Sequence, residues 1–264
     1  MQKKINNFYD MKIIVAISGG EIGRPGYPVE TTEIDKEIIK LSGKKRANLL
    51  FIPTASSDAE GYVETVKKHF GERLGCRVDV LYLINSGIVK KEIGKKIFSS
   101  DIIYVGGGNT LKMLKVWKKN GVDKILKRAW KRKIVISGLS AGAVCWFKYF
   151  NSDSKKFIKG KNNYQLIKLK GLGWLNASFC PHYDTEEKRK RHLKKMMLKT
   201  PGIALAVDNC CAVIIENDKY QVISSKRTAN AYKVFWLNKK FYQIKIKKVK
   251  LFKPLGELLK KTNI

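Results

Sequence analysis

Residues 138–142, Gly-Leu-Ser-Ala-Gly, follow the apolar run KIVIS and precede a short stretch of small residues. A Gly-x-Ser-x-Gly turn between a strand and a helix lifts the serine hydroxyl out of the sheet, and its small neighbours let a substrate and the helix approach closely. It also sets Ser140 at a helix N-terminus, where backbone N–H groups lack intrahelical partners and favour a developing anion. The chemistry implied is nucleophilic attack by a hydroxyl. A small-residue turn that merely packs a helix on a sheet has the same composition, so the rest of the chain must decide.

A serine nucleophile needs a base, and the chain has three histidines. His69 falls in a helical stretch and reads as a surface position. His192 falls in the lysine-rich run KRKRHLKK and reads as solvated. His182, in Cys-Pro-His-Tyr-Asp at the end of an apolar run, stands where the chain leaves a sheet and is the expected base. Two carboxylates could orient its ring. Asp208, at the end of GIALAV, has the more rigid mount and is favoured; Asp153, in Asn-Ser-Asp-Ser, could equally form a turn or contact substrate. The oxyanion would be met by the amide of Ala141 and by one from the Gly106–Gly107–Gly108 turn, with Gly107 central. Gly106, Gly108 and Asn109 are then placed to line the substrate site.

These groups need a scaffold. Apolar runs at 12–18, 48–54, 77–84, 101–105 and 133–137 alternate with amphipathic stretches at 32–42, 62–73, 91–98, 110–118 and 122–130. Continuous apolar strands separated by helices imply an α/β fold, with a mostly parallel sheet covered by helices on both faces. Ligands bind such sheets outside the carboxyl ends of the strands. Three glycine-rich turns fall there, at 18–20, 106–110 and 138–142, and should converge. Beyond them come a strand over 172–179, a basic helix over 186–198, and a β-rich, antiparallel remainder at 204–207, 212–216, 220–224, 232–236 and 241–249, with a hairpin at Asn217-Asp218. A single domain over 1–264 is the economical reading, with 1–10 as an extension and 231–264 as a basic β-rich tail.

The net charge of +32 invites a nucleic-acid partner, but the excess is lysine spread along the chain, with only nine arginines and no patch of arginine interleaved with aromatics. The run at 188–195 fits the solvated face of a helix, and that at 239–250 an edge strand whose lysines discourage pairing. No specific nucleic-acid partner is therefore expected. No stretch approaches the ~20 apolar residues that span a bilayer, so no membrane partner is expected either. The five cysteines form no C-x-x-C pair and no metal-ligand spacing with the histidines, which points to reduced, packed thiols in the cytoplasm and to no metal or cofactor.

The segments YVGGGNT (104–110), GLSAGA (138–143) and PHYD (181–184) together resemble the serine peptidases of family S51, which include aspartyl dipeptidase (peptidase E) and cyanophycinase; the resemblance covers about residues 12–225. It implies a flavodoxin-like sheet similar to that of class I glutamine amidotransferases, with serine in place of their cysteine. It also implies a Ser–His–acid triad of Ser140, His182 and an acid at the position of Asp208 or of Asp153, and hydrolysis of short peptides. The family's dipeptidase reads an N-terminal aspartate with a basic residue after the catalytic histidine, and Arg189 is the nearest match. The edges of the β-rich tail offer a route to a homodimer.

Two other readings compete. An α/β-hydrolase esterase shares the elbow, but its histidine comes late in the chain, and none follows residue 192 here. A non-catalytic polyanion-binding protein on a degenerate peptidase fold would use the charge, but the intact Ser140 and His182 speak against it.

Overall fold

Strand β1 (Ile13–Ile17) is buried along its whole length because successive side chains feed two different cores. Ile13, Val15 and Ile17 pack with Ile34 and Ile38 of α1 (Thr32–Leu41) and Val63 and Val66 of α2 (Glu60–Val66). Ile14 and Ala16 face the other way, toward Ile93 and Ile97 of α3 (Lys90–Phe98), Met113 and Trp117 of α4 (Thr110–Asn120), and Ile125 and Leu126 of α5 (Val122–Trp130). A period of two with both faces apolar is what a strand covered by helices on each side requires. The computed structural model describes residues 11–157, 164–185 and 187–262. The extension expected at 1–10 lies outside them, as does Glu186, the first residue of the helix expected at 186–198.

The fold is mixed α/β with two sheets, not one mostly parallel sheet. In the first, β1 runs parallel to β5 (Val135–Leu139), β5 to β4 (Ile102–Val105), β4 to β2 (Asn48–Ile52), and β2 to β3 (Arg77–Val80). On the other side of β1, β10 (Cys211–Glu216), β11 (Lys219–Ser224) and β14 (Lys253–Pro254) pair antiparallel, turning at Asn217 in a left-handed conformation. The chain leaves this sheet after β5, through the short α6 (Ala141–Val144), and builds a second one. There β8 (Leu175–Cys180) lies parallel to both β6 (Phe147–Ser152) and β9 (Ala204–Val207), while β7 (Ile167–Lys170), β12 (Ala231–Leu237) and β13 (Lys240–Lys245) are antiparallel additions. Helix α7 (Glu187–Leu198) covers the outer face with Leu193, Met196 and Met197, and α8 (Leu255–Leu259) buries Leu258. The lysine-rich β13 is an edge strand, as its charge pattern predicts.

Two histidine expectations change. His69 is buried, with Nε2 2.8 Å from the Asp35 carboxylate of α1, which also accepts from Thr31 Oγ1 at 2.6 Å. Pairing lets an imidazole enter the core, and a wide π-helical turn over Lys67–Arg73 carries it. His192 is half-buried, with Nδ1 3.0 Å from Asn151 Nδ2. The five cysteines are buried and unbridged. Among the described residues no helix is long and apolar enough to cross a membrane.

Candidate active site

Because β1, β5 and β4 are neighbours in one sheet, the turns that follow them meet at its carboxyl edge. Ser140 stands at the apex of the middle turn with φ 53° and ψ −104°, a conformation costly for a residue with a Cβ and typical of functional turns. Its N–H donates to Ile17 O of β1 at 2.9 Å, which anchors the strained residue. The glycines around it are steric necessities: a Cβ on Gly142 would lie 2.2 Å from Val105 O, and one on Gly138 2.4 Å from Gly142 O.

The second sheet delivers the imidazole of His182. β8 ends at Cys180, and His182 follows with φ 51°, its N–H donating to the buried Ser18 Oγ at 2.7 Å while Ser18 Oγ donates to Val207 O at 2.7 Å. This clamp sets the imidazole over the elbow, with Nε2 2.8 Å from Ser140 Oγ. On its far side, Nδ1 lies 2.6 Å from Asn209 Oδ1. An amide oxygen only accepts, so Nδ1 carries the proton and Nε2 is left to accept from the serine hydroxyl. Asn209 is itself held by its N–H, which donates to Asp184 Oδ1 at 2.8 Å.

The residue that orients the ring is therefore an amide, one position beyond the carboxylate favoured from sequence. Asp208 N–H donates to Asn230 O and its carboxylate accepts from Asn230 N–H, each at 2.9 Å, so Asp208 faces the start of β12. The next residue, Asn209, lies in the turn from β9 to β10, and its side chain meets the imidazole instead. Burial pushes the Asp208 carboxyl up, and the Asn230 amide only partly offsets it. Asp153 meets Lys156 Nζ at 2.7 Å and an Arg189 guanidinium nitrogen at 2.9 Å. Burial raises its carboxyl, but the Lys156 hydrogen bond and the Arg189 charge outweigh that and hold it below its ordinary value.

Arg189 itself, expected to face a substrate carboxylate, is only 2% exposed and turned toward Asp153. The two still reach the imidazole as charges. Burial, then the positive Arg189, push His182 below its usual value, against the Asn209 hydrogen bond and the negative Asp153. Both leading causes favour the neutral imidazole.

Of the turn after β4, Gly107 comes closest to Ser140: a Cβ built on it would lie 3.5 Å from Ser140 Cβ. Its N–H donates to the Tyr62 hydroxyl at 3.2 Å. Ala141 is the first residue of α6, so its amide has no acceptor within that helix. Gly108 packs on Ala55 O. Gly106 donates to Ile52 O at 3.1 Å. Asn109 caps α4, its Oδ1 accepting from Lys112 N–H at 3.0 Å. Ser18, Gly19, Tyr62, Asp184 and Asn209 escaped the reading of the sequence as site residues. The Ser18–Gly20 turn carried a signal there, as one of the three turns expected to converge, and Asp184 closes the PHYD segment.

Comparison with known proteins agrees with this architecture. The model of peptidase family S51 matches residues 14–223. The uncharacterized peptidase YgaJ of Bacillus subtilis (strain 168) is 36% identical over 228 residues, which span 85% of this chain and 92% of its own. The uncharacterized peptidase Lmo0363 of Listeria monocytogenes is 34% identical over 160 residues, 56% of this chain and 74% of its own. The crystal structure of a peptidase from an acI-B1 actinobacterium superposes with a TM-score of 0.70 over 93% of this chain and 98% of that one; at 16% identity this is a likeness of fold. The family match runs unbroken from β1 through the elbow and the His182 turn into β11, and on that extent the chain belongs to peptidase family S51.

Proposed function

We propose that this protein is a serine-type peptidase of short peptides, acting through Ser140, His182 and Asn209 on a flavodoxin-like parallel half-sheet. The observation that carries the reading is the unbroken chain from Ser140 Oγ to His182 Nε2 at 2.8 Å and from Nδ1 to Asn209 Oδ1 at 2.6 Å. In the proposed mechanism Ser140 Oγ bonds to the peptide carbonyl carbon as its proton passes to His182 Nε2. The carbonyl oxygen, now an anion, takes the amides of Ala141 and Gly107, the latter exchanging its bond to the Tyr62 hydroxyl for one to substrate. The C–N bond breaks, the imidazolium protonates the departing amine, and an acyl-enzyme remains. Water then attacks it, giving its proton to the same imidazole, and Ser140 leaves with that proton as the acid product departs.

An amide in the third position orients the ring as a carboxylate would, without adding a charge to stabilise the imidazolium. The unbridged cysteines fit the reducing cytoplasm. The test is labelling with a fluorophosphonate, which reacts only with an activated serine. The expected result is stoichiometric labelling of the native chain, lost in Ser140→Ala and strongly reduced in His182→Ala. A folded native chain that takes no label and cleaves no peptide would overturn the reading.

A further inference from the structure

Beside the elbow lies a cavity of about 720 Å³, walled by Ile22, Gly61, Tyr62, Thr65, Gly107 and Leu139. Its size is that of pockets that enclose small ligands. Two features decide what it takes.

The first is its place. The cavity is bounded by Leu139, which precedes the nucleophile, and by Gly107, while neither His182 nor Asn209 contributes to its walls. In acyl transfer the imidazole must hand its proton to the leaving amine, so the leaving group lies on the imidazole side. A cavity that meets the Gly107 turn and not the imidazole lies on the acyl side.

The second is its charge. The chain as a whole carries +32, yet around this cavity stand two acids, Glu21 and Glu64, and two bases, Arg24 and Lys68. Glu21 and Arg24 neutralise each other in an ion pair, with Arg24 Nε donating to Glu21 Oε2 at 2.8 Å. Glu64 and Lys68 are exposed, at the rim. The interior is apolar or uncharged: Ile22 and Thr65 are buried, and burial raises the Tyr62 phenol to about 12, so it stays protonated. An ionised side chain would lose hydration there against a rim of no net charge, and Arg189, the cation expected to receive a carboxylate, is turned toward Asp153.

We infer that this cavity is the acyl-side specificity pocket, and that it selects a bulky, uncharged apolar or aromatic side chain on the residue whose carbonyl Ser140 attacks. The inference rests on the serine-peptidase reading and narrows its substrate class.

Aminoacyl p-nitroanilides test it, since they vary the acyl side while the leaving group stays constant. The Phe and Leu substrates should exceed the Asp and Lys substrates in kcat/KM by about tenfold or more, the scale of discrimination an apolar pocket supplies. Gly61→Phe then probes the wall itself. Gly61 sits in α2 on the cavity wall, and a Cβ added there meets nothing within 4 Å, so a side chain can be started at this wall without a backbone clash. It should lower kcat/KM for the Phe substrate about tenfold, mainly through KM, and change the Ala substrate by less than about threefold. Preference for Asp or Lys, equal losses on all substrates in Gly61→Phe, or no cleavage of any anilide by a chain whose Ser140 takes the fluorophosphonate would overturn the pocket assignment alone. Absence of both labelling and cleavage would overturn the peptidase reading and the pocket with it.

Discussion

Asn209 Oδ1 lies 2.6 Å from His182 Nδ1, on the opposite side of the ring from Ser140 Oγ. The partner is neutral, so the imidazole feels burial and the Arg189 charge without a carboxylate in direct contact, and its pKa falls below the ordinary value. In the proposed mechanism only the neutral imidazole can accept the serine proton. The acid limb of kcat/KM should therefore lie below the unperturbed histidine pKa of ~6.5. Asn209→Asp adds a negative charge that favours the imidazolium, and the limb should move to higher pH. Asn209→Leu releases the ring and should lower kcat by about a hundredfold or more. A pH–rate profile of the three proteins checks this; an unmoved limb in Asn209→Asp would count against Asn209 as the partner.

Gly19 is a second constraint on the same pair. A Cβ there would lie 2.1 Å from Asn209 Oδ1 and 2.4 Å from His182 Nδ1, closer than side chains can approach. Gly19→Ala must push the imidazole or the amide aside, which predicts a loss of about a hundredfold in kcat with the fold retained. Circular dichroism and fluorophosphonate labelling rates together read both halves of that statement.

The strain at Ser140 should be recoverable as stability. With φ at 53° and a Cβ, Ser140→Gly removes the steric cost of the left-handed conformation. The variant should be inactive yet more stable by about 1 kcal/mol, after the entropy that glycine adds to the unfolded chain. Urea unfolding of Ser140→Gly against Ser140→Ala, which retains the Cβ, isolates the effect.

Arg189 and Asp153 form an ion pair whose cationic side is all but inaccessible to water. Removing Arg189 leaves the part-buried Asp153 with Lys156 alone, and Arg189→Met should cost about 1 to 2 kcal/mol. Because the folded state holds the Asp153 carboxyl below its unfolded value, its contribution is present above the unfolded carboxylate pKa of ~3.9 and is lost as pH falls through the lower folded one. The difference between native and variant proteins should accordingly shrink in strongly acidic solution. The same variant deletes a positive charge that opposes the imidazolium, so its activity limb should shift to higher pH. Chemical denaturation across pH and a pH–rate profile measure the two effects separately.

Local pattern in the sequence was enough for the five parallel strands and their helices, the elbow serine, the histidine at a strand end and the convergence of three glycine turns, because each depends on periodicity or backbone freedom within a few residues. The second sheet, with parallel pairs among its antiparallel ones, was not legible, since pairing between β6, β8 and β9 is decided by strands far apart in the chain. The site divides the same way. Ser140 and His182 announce themselves by their turns, whereas the choice of Asn209 over Asp208 depends on which way the corner from β9 to β10 faces. Only the tertiary structure settles that, because Asn230 captures Asp208 across the sheet and leaves the next side chain pointing at the imidazole. The roles of Arg189 and His69 were likewise decided by partners distant in sequence, Asp153 and Asp35, whose pairing brings polar groups inside that composition alone would leave in water.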